Sequence, residues 1–293
     1  MRELVADQGF CFPSTSTLAA GIWICLPPPI TADATSYPPL PTLQFGLWPH
    51  AGLIKHQCFG NAYRSFKGNV MTVRATRPIE KDTEITWSYQ QLARPKRERV
   101  TEFLNERGIH CDCAICEHDR PKDPEVIRDR SRIVREHREL LKKALSWGMG
   151  LKKWRLNVTD SYLNALSESY SKPASEVPRL AHYELFAQIL DLAWDPKHGQ
   201  GFDNTLKVSV ILDALKSVYF VIERRGNDNV LVLKQWGFVS PCTFKLFILL
   251  RNTYASSGND LLAQEAERHA KMLYKITFGE DETFDVRRFQ LWF

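Results

Sequence analysis

No apolar stretch in this 293-residue chain approaches the ~20 consecutive residues that span a bilayer, so the sequence predicts no membrane segment. The short apolar run LAAGIWICL, Leu18 to Leu26, is preceded by Glu3 and Asp7 rather than by a basic cluster. No small-residue cleavage site follows it, which argues against a secretory leader. Basic residues are not gathered into a patch of one sign either. The formal net charge is +5, and between Arg94 and Arg155 Lys and Arg alternate with Asp and Glu in runs such as RPKRERVTEFLNER and RDRSRIVREHRELLKK. That texture predicts solvated helix faces carrying i,i+4 pairs, and no nucleic-acid partner is expected. The composition, 44% hydrophobic and 25% charged, excludes disorder of the whole chain, and the length suits two ordinary domains. The chain reads as intracellular, with no compact basic cluster to decide between nucleus and cytoplasm.

Along the chain the texture changes twice. Residues 1–42 are rich in Pro, Ser and Thr, end in SYPPLP and show no strong period; they are expected to form an irregular lead-in. Short β-type runs follow from Leu43 to Tyr89. NAYRSF and VMTVRAT flank KGN, whose Gly-Asn pair suits a tight hairpin, and IEKDTEITWSY reads as a turn and a further strand. Beyond Tyr89 the pattern turns helical, with a boundary at RPKDP, where two prolines interrupt regular structure. After it only helices are expected. One carries the stripe Val126, Ile133 and Leu140 with Ile127, Val134 and Leu141 and stops near Trp147 and Gly148. Others are predicted at 159–170, 176–194, 204–223, 240–256 and 259–278, with Ser240-Pro241 as cap and first residue and Gly279 as stop. Phe247, Leu250, Tyr254, Gly258, Ala263 and Ala270 match the tetratricopeptide spacing in part, Glu267 standing where that pattern wants an aromatic.

HCDCAIC places Cys111, Cys113 and Cys116 within a few residues of one another. In a compartment that keeps thiols reduced, such a cluster points to metal, and thiolates are the preferred ligands of a closed tetrahedral zinc site. Candidates for the fourth ligand are His110, His118, Cys58 and a more distant cysteine.

Three ordered motifs resemble the C-terminal half of a SET domain with its post-SET cysteines, in the SET-and-MYND branch and its fungal relatives with helical, repeat-like tails. GLWPHAGLIKHQCFGNAYRSF corresponds to the stretch that ends in Asn-His-Ser-Cys-x-Pro-Asn. VRATRPIEKDTEITWSY corresponds to the strand leading to Glu-Glu-Ile-Thr-x-x-Tyr, and RPKRERVTEFLNERGIHCDCAIC to the arginine-rich helix and Cys-x-Cys-x-x-Cys. The resemblance implies an α+β fold: residues 1–42 as an irregular lead-in forming part of the SET domain, 43–92 as its C-terminal half, 93–120 as the post-SET zinc segment and 121–293 as an all-α, tetratricopeptide-like domain. It implies Zn2+ on Cys58, Cys111, Cys113 and Cys116, with S-adenosyl-L-methionine as cofactor and a lysine-bearing protein, histone or non-histone, as substrate. Tyr89 corresponds to the catalytic terminal tyrosine. Lys55, His56, Asn61 and Tyr89 fall at cofactor-pocket positions, His56 mainly in a structural role.

The sequence departs from that family in places. Lys55 stands at its Asn and Gly60 at its Pro, and neither a glycine-containing first strand nor a MYND zinc module is legible before Leu43. These departures imply an N-terminally truncated member. They set a second reading beside the protein-lysine methyltransferase: a catalytically inactive, zinc-stapled scaffold that binds a protein or peptide through its helical tail.

Overall fold

The computed structural model describes the backbone of residues 12–13, 22–25 and 44–47, and then residues 48–67, 70–89, 105, 108–120, 123–146, 158–194, 202–225, 230–286 and 289. The arginine-rich segment 94–107, apart from Asn105, lies outside these, as do the Gly68-Asn69 turn and the helix stop at Trp147-Gly148.

Strands β1 (Phe12–Pro13), β2 (Ile22–Cys25) and β3 (Gln44–Leu47) form an antiparallel sheet in that order. The lead-in is therefore not wholly irregular. Its strands are only two and four residues long, so no alternation of period two develops for a sequence reading to detect.

After α1 (Pro49–Gly52), the chain runs through β4 (Lys55–His56), the hairpin β5 (Ala62–Lys67) and β6 (Val70–Ala75), and β7 (Thr86–Trp87). The hairpin forms where the β-branched and aromatic runs predict it, in register Lys67↔Val70 to Ala62↔Ala75. β7 returns parallel to β4, pairing Lys55 with Thr86 and His56 with Trp87. The loop between β4 and β5 is pressed onto β7. A Cβ built on Gly60 would lie 2.5 Å from both the Thr86 carbonyl oxygen and the Trp87 Cα, and these are backbone atoms that cannot swing aside. Glycine at this position is thus a condition of close approach, not a looser turn. Gly60→Ala is expected to cost roughly 3 kcal/mol in denaturant unfolding, at the upper end of ordinary overpacking. An unchanged midpoint would contradict this packing.

The rest is mostly helix: α2 (Ala114–Asp119), α3 (Pro124–Ser146), α4 (Asp160–Glu168), α5 (Leu180–Ala193), α6 (Asn204–Ser217), α7 (Pro241–Ser256) and α8 (Asp260–Phe278). α5 is apolar on nearly every side and lies in the core, whereas α3 shows one buried seam. That seam runs through Arg130, Val134, His137, Leu141 and Ala144, at steps of four, three, four and three residues. Val134 and Leu141 come from the predicted stripe. Arg130 and His137 complete it, although polar types do not score as core. On the opposite face Arg128 pairs with Glu125, and Arg132 with Asp129 and Glu136, the solvated charge pattern the sequence predicts.

Ser240 and Thr243 form a reciprocal capping box with Pro241 at the first turn, and Gly279 ends α8 at φ +88°. α7 and α8 make a helical hairpin turned at Gly258, where φ is +72°. Phe247, Leu250, Tyr254, Ala263 and Ala270 are buried there, while Glu267 pairs with Arg251 at 3.1 Å.

The tail is not all-α. The helix predicted over 204–223 ends at Ser217, and the chain continues as an antiparallel hairpin, β8 (Val221–Arg225) with β9 (Val230–Gln235). VIERR and VLVLKQ around a Gly-Asn-Asp stretch carry a strand-turn-strand signal. Helical periodicity in the preceding residues had absorbed it. The overall α+β class stands.

One continuous core joins Cys58, Phe59, the Cys111–Cys116 segment and Val134 to the interior of α5 to α8. The β-rich part and the tail also meet where Arg74 Nη2 donates to the Gly279 carbonyl at 2.7 Å. Among the described residues no helix is long and apolar enough to cross a membrane.

Candidate metal centre and active site

The sulfurs of Cys58, Cys111, Cys113 and Cys116 lie within 4.8 Å of one another, and all four residues are buried. The Cys58 Sγ is 3.8 Å from that of Cys111 and 3.5 Å from that of Cys116. A tetrahedron with Zn–S bonds of ~2.3 Å has edges of about 3.8 Å, whereas a disulfide needs ~2.05 Å. The cysteines are free thiols. Hydrogen bonding to Cys111 holds the Cys58 thiol above the ordinary thiol range, and hydrogen bonding from Cys113 draws Cys111 below it. Four buried sulfurs this close would need a cation to be held together as thiolates, and this donor set fits zinc.

The local alternatives do not join the cluster. His110 is exposed, His118 turns its ring to Asp119 and Ser171, and Cys242 lies on α7, half-buried.

Upstream of the cysteine cluster, three elements converge. β4 carries His56, the loop after it carries Cys58 and Asn61, and the residues after β7 carry Tyr89. Asn61 stitches the crossing. Its amide donates to the Glu84 carbonyl and accepts from the Thr86 N–H, both at 2.9 Å. The Gln57 N–H donates to the Trp87 carbonyl at 3.0 Å, and the Thr86 hydroxyl donates to Gln57 Oε1 at 3.1 Å.

Tyr89 is held on every side. Its N–H donates to His56 Nδ1 at 3.0 Å, its hydroxyl donates to the Ile54 carbonyl at 2.7 Å, and its ring meets that of His56 edge-on at 5.2 Å. Arg64, 1% exposed, donates to the carbonyls of Ser88 and Tyr89, each at 3.0 Å, with its guanidinium over the Trp87 ring. Burial pushes the Tyr89 phenol up, only partly offset by the Arg64 charge, so the hydroxyl stays protonated at neutral pH. Lys55 stands apart from this convergence. Its ammonium is exposed and pairs with Glu84 at 2.9 Å, which raises its pKa through hydrogen bond and charge.

Sequence reasoning missed Arg64 because an arginine in an amphipathic strand reads as outward-facing. The signal that could have found it is its place in NAYRSF, two residues from Ala62 and so on the same, inward face of β5.

The SET domain family matches residues 30–90, a span that takes in His56, Cys58 and Asn61 and ends just past Tyr89. Similar proteins are named as methyltransferases. A "Methyltransferase" of Gibberella zeae is 28% identical over 251 residues, which is 82% of this chain and 32% of that protein. N-lysine methyltransferase SMYD2 of Gallus gallus is 26% identical over 246 residues, 81% of this chain and 52% of that protein. The chain carries a SET-domain match and is similar to SET-and-MYND-type proteins. Histone-lysine N-methyltransferase SMYD3 of Mus musculus is 29% identical over 151 residues, 51% of this chain and 33% of that protein. The chain thus spans between about a third and about half of the length of these relatives. Its SET match reaches back to residue 30, into the segment read as lead-in, and the post-SET cysteines follow it in sequence and close on Cys58 in space.

Proposed function

We propose that the chain is the catalytic region of a protein-lysine N-methyltransferase of the SET class, with zinc as a structural metal and S-adenosyl-L-methionine as cofactor. The observation that carries the proposal is the convergence of Tyr89, His56 and Asn61 with a four-cysteine cluster at one crossing of the chain. Bound S-adenosylmethionine supplies a methyl group that a neutral lysine amine accepts. The chain's own part is positional. The protonated Tyr89 hydroxyl, set by the Ile54 carbonyl, orients the amine; Asn61 and Arg64 fix the backbone on which Tyr89 rides. Lys55, expected at a cofactor position, is instead held in an exposed pair with Glu84 and would have to leave it to reach a cofactor carboxylate. The substrate is a lysine-containing protein, histone or non-histone, met in the nucleus or cytoplasm.

The test is methyl transfer to lysine peptides by the zinc-loaded chain, together with calorimetry against S-adenosylmethionine. Tyr89→Phe is expected to lose transfer by about 100-fold, in the range of general acid–base and electrostatic contributions, while zinc content and fold remain. No heat at high cofactor concentration and no transfer would sink the enzyme reading.

One observation favours the second reading, a zinc-stapled scaffold that binds a protein or peptide on the helical tail. The Asn61 amide and both ring nitrogens of His56 are spent on internal bonds, so these residues serve the fold whether or not a cofactor binds. Full zinc occupancy without cofactor binding would select it.

A further inference from the structure

We infer that His56 is a positioning residue that ties the metal cluster to Tyr89, one ring nitrogen serving each. The tautomer follows from geometry. A backbone N–H can only donate, and Tyr89 N lies 3.0 Å from His56 Nδ1, so Nδ1 is the bare nitrogen. The proton of the neutral ring therefore sits on Nε2, which lies 3.5 Å from Cys58 Sγ, within reach of a sulfur acceptor. The ring is 5% exposed, and water does not compete for either bond. A metal-bound Cys58 thiolate thus fixes the imidazole by its Nε2–H, and the imidazole fixes the Tyr89 backbone through Nδ1. The Ile54 carbonyl, which holds the Tyr89 hydroxyl, lies two residues before His56, so backbone and side chain of Tyr89 are anchored to the same short segment. Loss of the metal frees Cys58 Sγ from its fixed position and removes the acceptor that orients the ring. Coupling of this kind is reciprocal: a well-held Tyr89 also strengthens metal binding. The inference rests on the proposed function only for the catalytic role of Tyr89; the tie itself needs no cofactor.

Two substitutions divide the bridge. The side-chain oxygen of His56→Asn reaches the place of Nδ1 and can still accept from Tyr89, but nothing reaches Cys58. The amide nitrogen of His56→Gln reaches the place of Nε2 and can still donate to Cys58, but Tyr89 loses its acceptor. The readouts are zinc affinity by chelator competition and hydrogen exchange of the Tyr89 amide in the zinc-loaded full chain. His56→Asn is expected to weaken zinc by about 10- to 100-fold with the Tyr89 amide still protected. His56→Gln is expected to keep zinc affinity within a few-fold while that amide exchanges at least about tenfold faster. A role in packing alone moves both readouts together in both variants, and that result, or no change in either, overturns the inference. Should the variants fail to fold, nitrogen-15 shifts of the wild-type His56 ring decide: the Nε2–H tautomer sustains the tie and the Nδ1–H tautomer refutes it. None of these measurements involves S-adenosylmethionine, so failure of the enzyme reading and failure of the tie are separate outcomes.

Discussion

Cys58→Ser is expected to strip the protein of tightly bound zinc and to lower its unfolding temperature by roughly 10 °C or more. Cys111, Cys113 and Cys116 sit within one short segment and the start of α2, so each alone constrains only local chain. Cys58 differs in coming from the loop pressed onto β7, so a metal held by all four cysteines would tie the β-rich part to the cysteine segment. Structural zinc contributes ~10–16 kcal/mol of apparent binding energy in small domains, and the affinity falls steeply when one thiolate is withdrawn. Forfeiting about 5 kcal/mol of that in a chain of this size gives the stated shift at roughly 2–4 °C per kcal/mol. The four residues belong to the same continuous core as α5 to α8, so the melt should broaden through the tail as well. Thermal scans with and without chelator check the expectation. Unchanged zinc content and unfolding temperature in the variant would contradict it.

Arg130→Met is expected to cost about 3–5 kcal/mol, the ordinary penalty for breaking a buried ion pair and stranding its partner. Arg130 Nη1 donates to Asp119 Oδ1 at 2.8 Å with both side chains almost wholly buried. Its Nε and Nη2 donate to the Ser169 hydroxyl and carbonyl at 2.8 and 2.7 Å, and its guanidinium lies 3.9 Å from the Tyr170 ring centroid. His118 completes the clamp. Its Nε2 accepts from the Ser171 N–H at 3.3 Å, which leaves the proton on Nδ1 to donate to Asp119 at 3.1 Å, and its ring stacks on Tyr170. The end of α2 is thereby fastened to α3 and to the residues after α4. With methionine at 130, the Asp119 carboxylate remains buried without its cation. The double variant Asp119→Leu with Arg130→Met removes both charges and should recover most of the loss. Denaturant unfolding of the single and double variants closes the cycle. A single-variant cost below about 1 kcal/mol, or no recovery in the double variant, would show that the clamp is not coupled.

The elements that were legible in the sequence are those fixed by near neighbours. Ser240-Pro241 and Gly279 marked helix ends because capping is local, and the β5–β6 hairpin was visible in its residue types. Three of the four thiols announced themselves by spacing. Cys58, 53 residues before Cys111, did so only through family resemblance. The clamp around Arg130 was not legible, since it gathers Asp119, Ser169 and Tyr170 from separate elements and only the fold brings them together. A step pattern of four and three residues through Arg130, Val134, His137 and Leu141 was present, and admitting buried polar types to it would have exposed the seam. β8 and β9 were lost for a different reason: the apolar run of α6 continues past Ser217 without a strong breaker, so helical period and strand composition overlapped.

X-ray absorption at the zinc edge of the full chain tests the four-thiolate clasp most directly. Four sulfur scatterers at about 2.3 Å are predicted, becoming three sulfurs and one lighter atom, or no bound zinc, in Cys58→Ser. An imidazole in the first shell of the wild-type site, or four sulfurs persisting without Cys58, would contradict the closure of HCDCAIC onto the loop beside Tyr89.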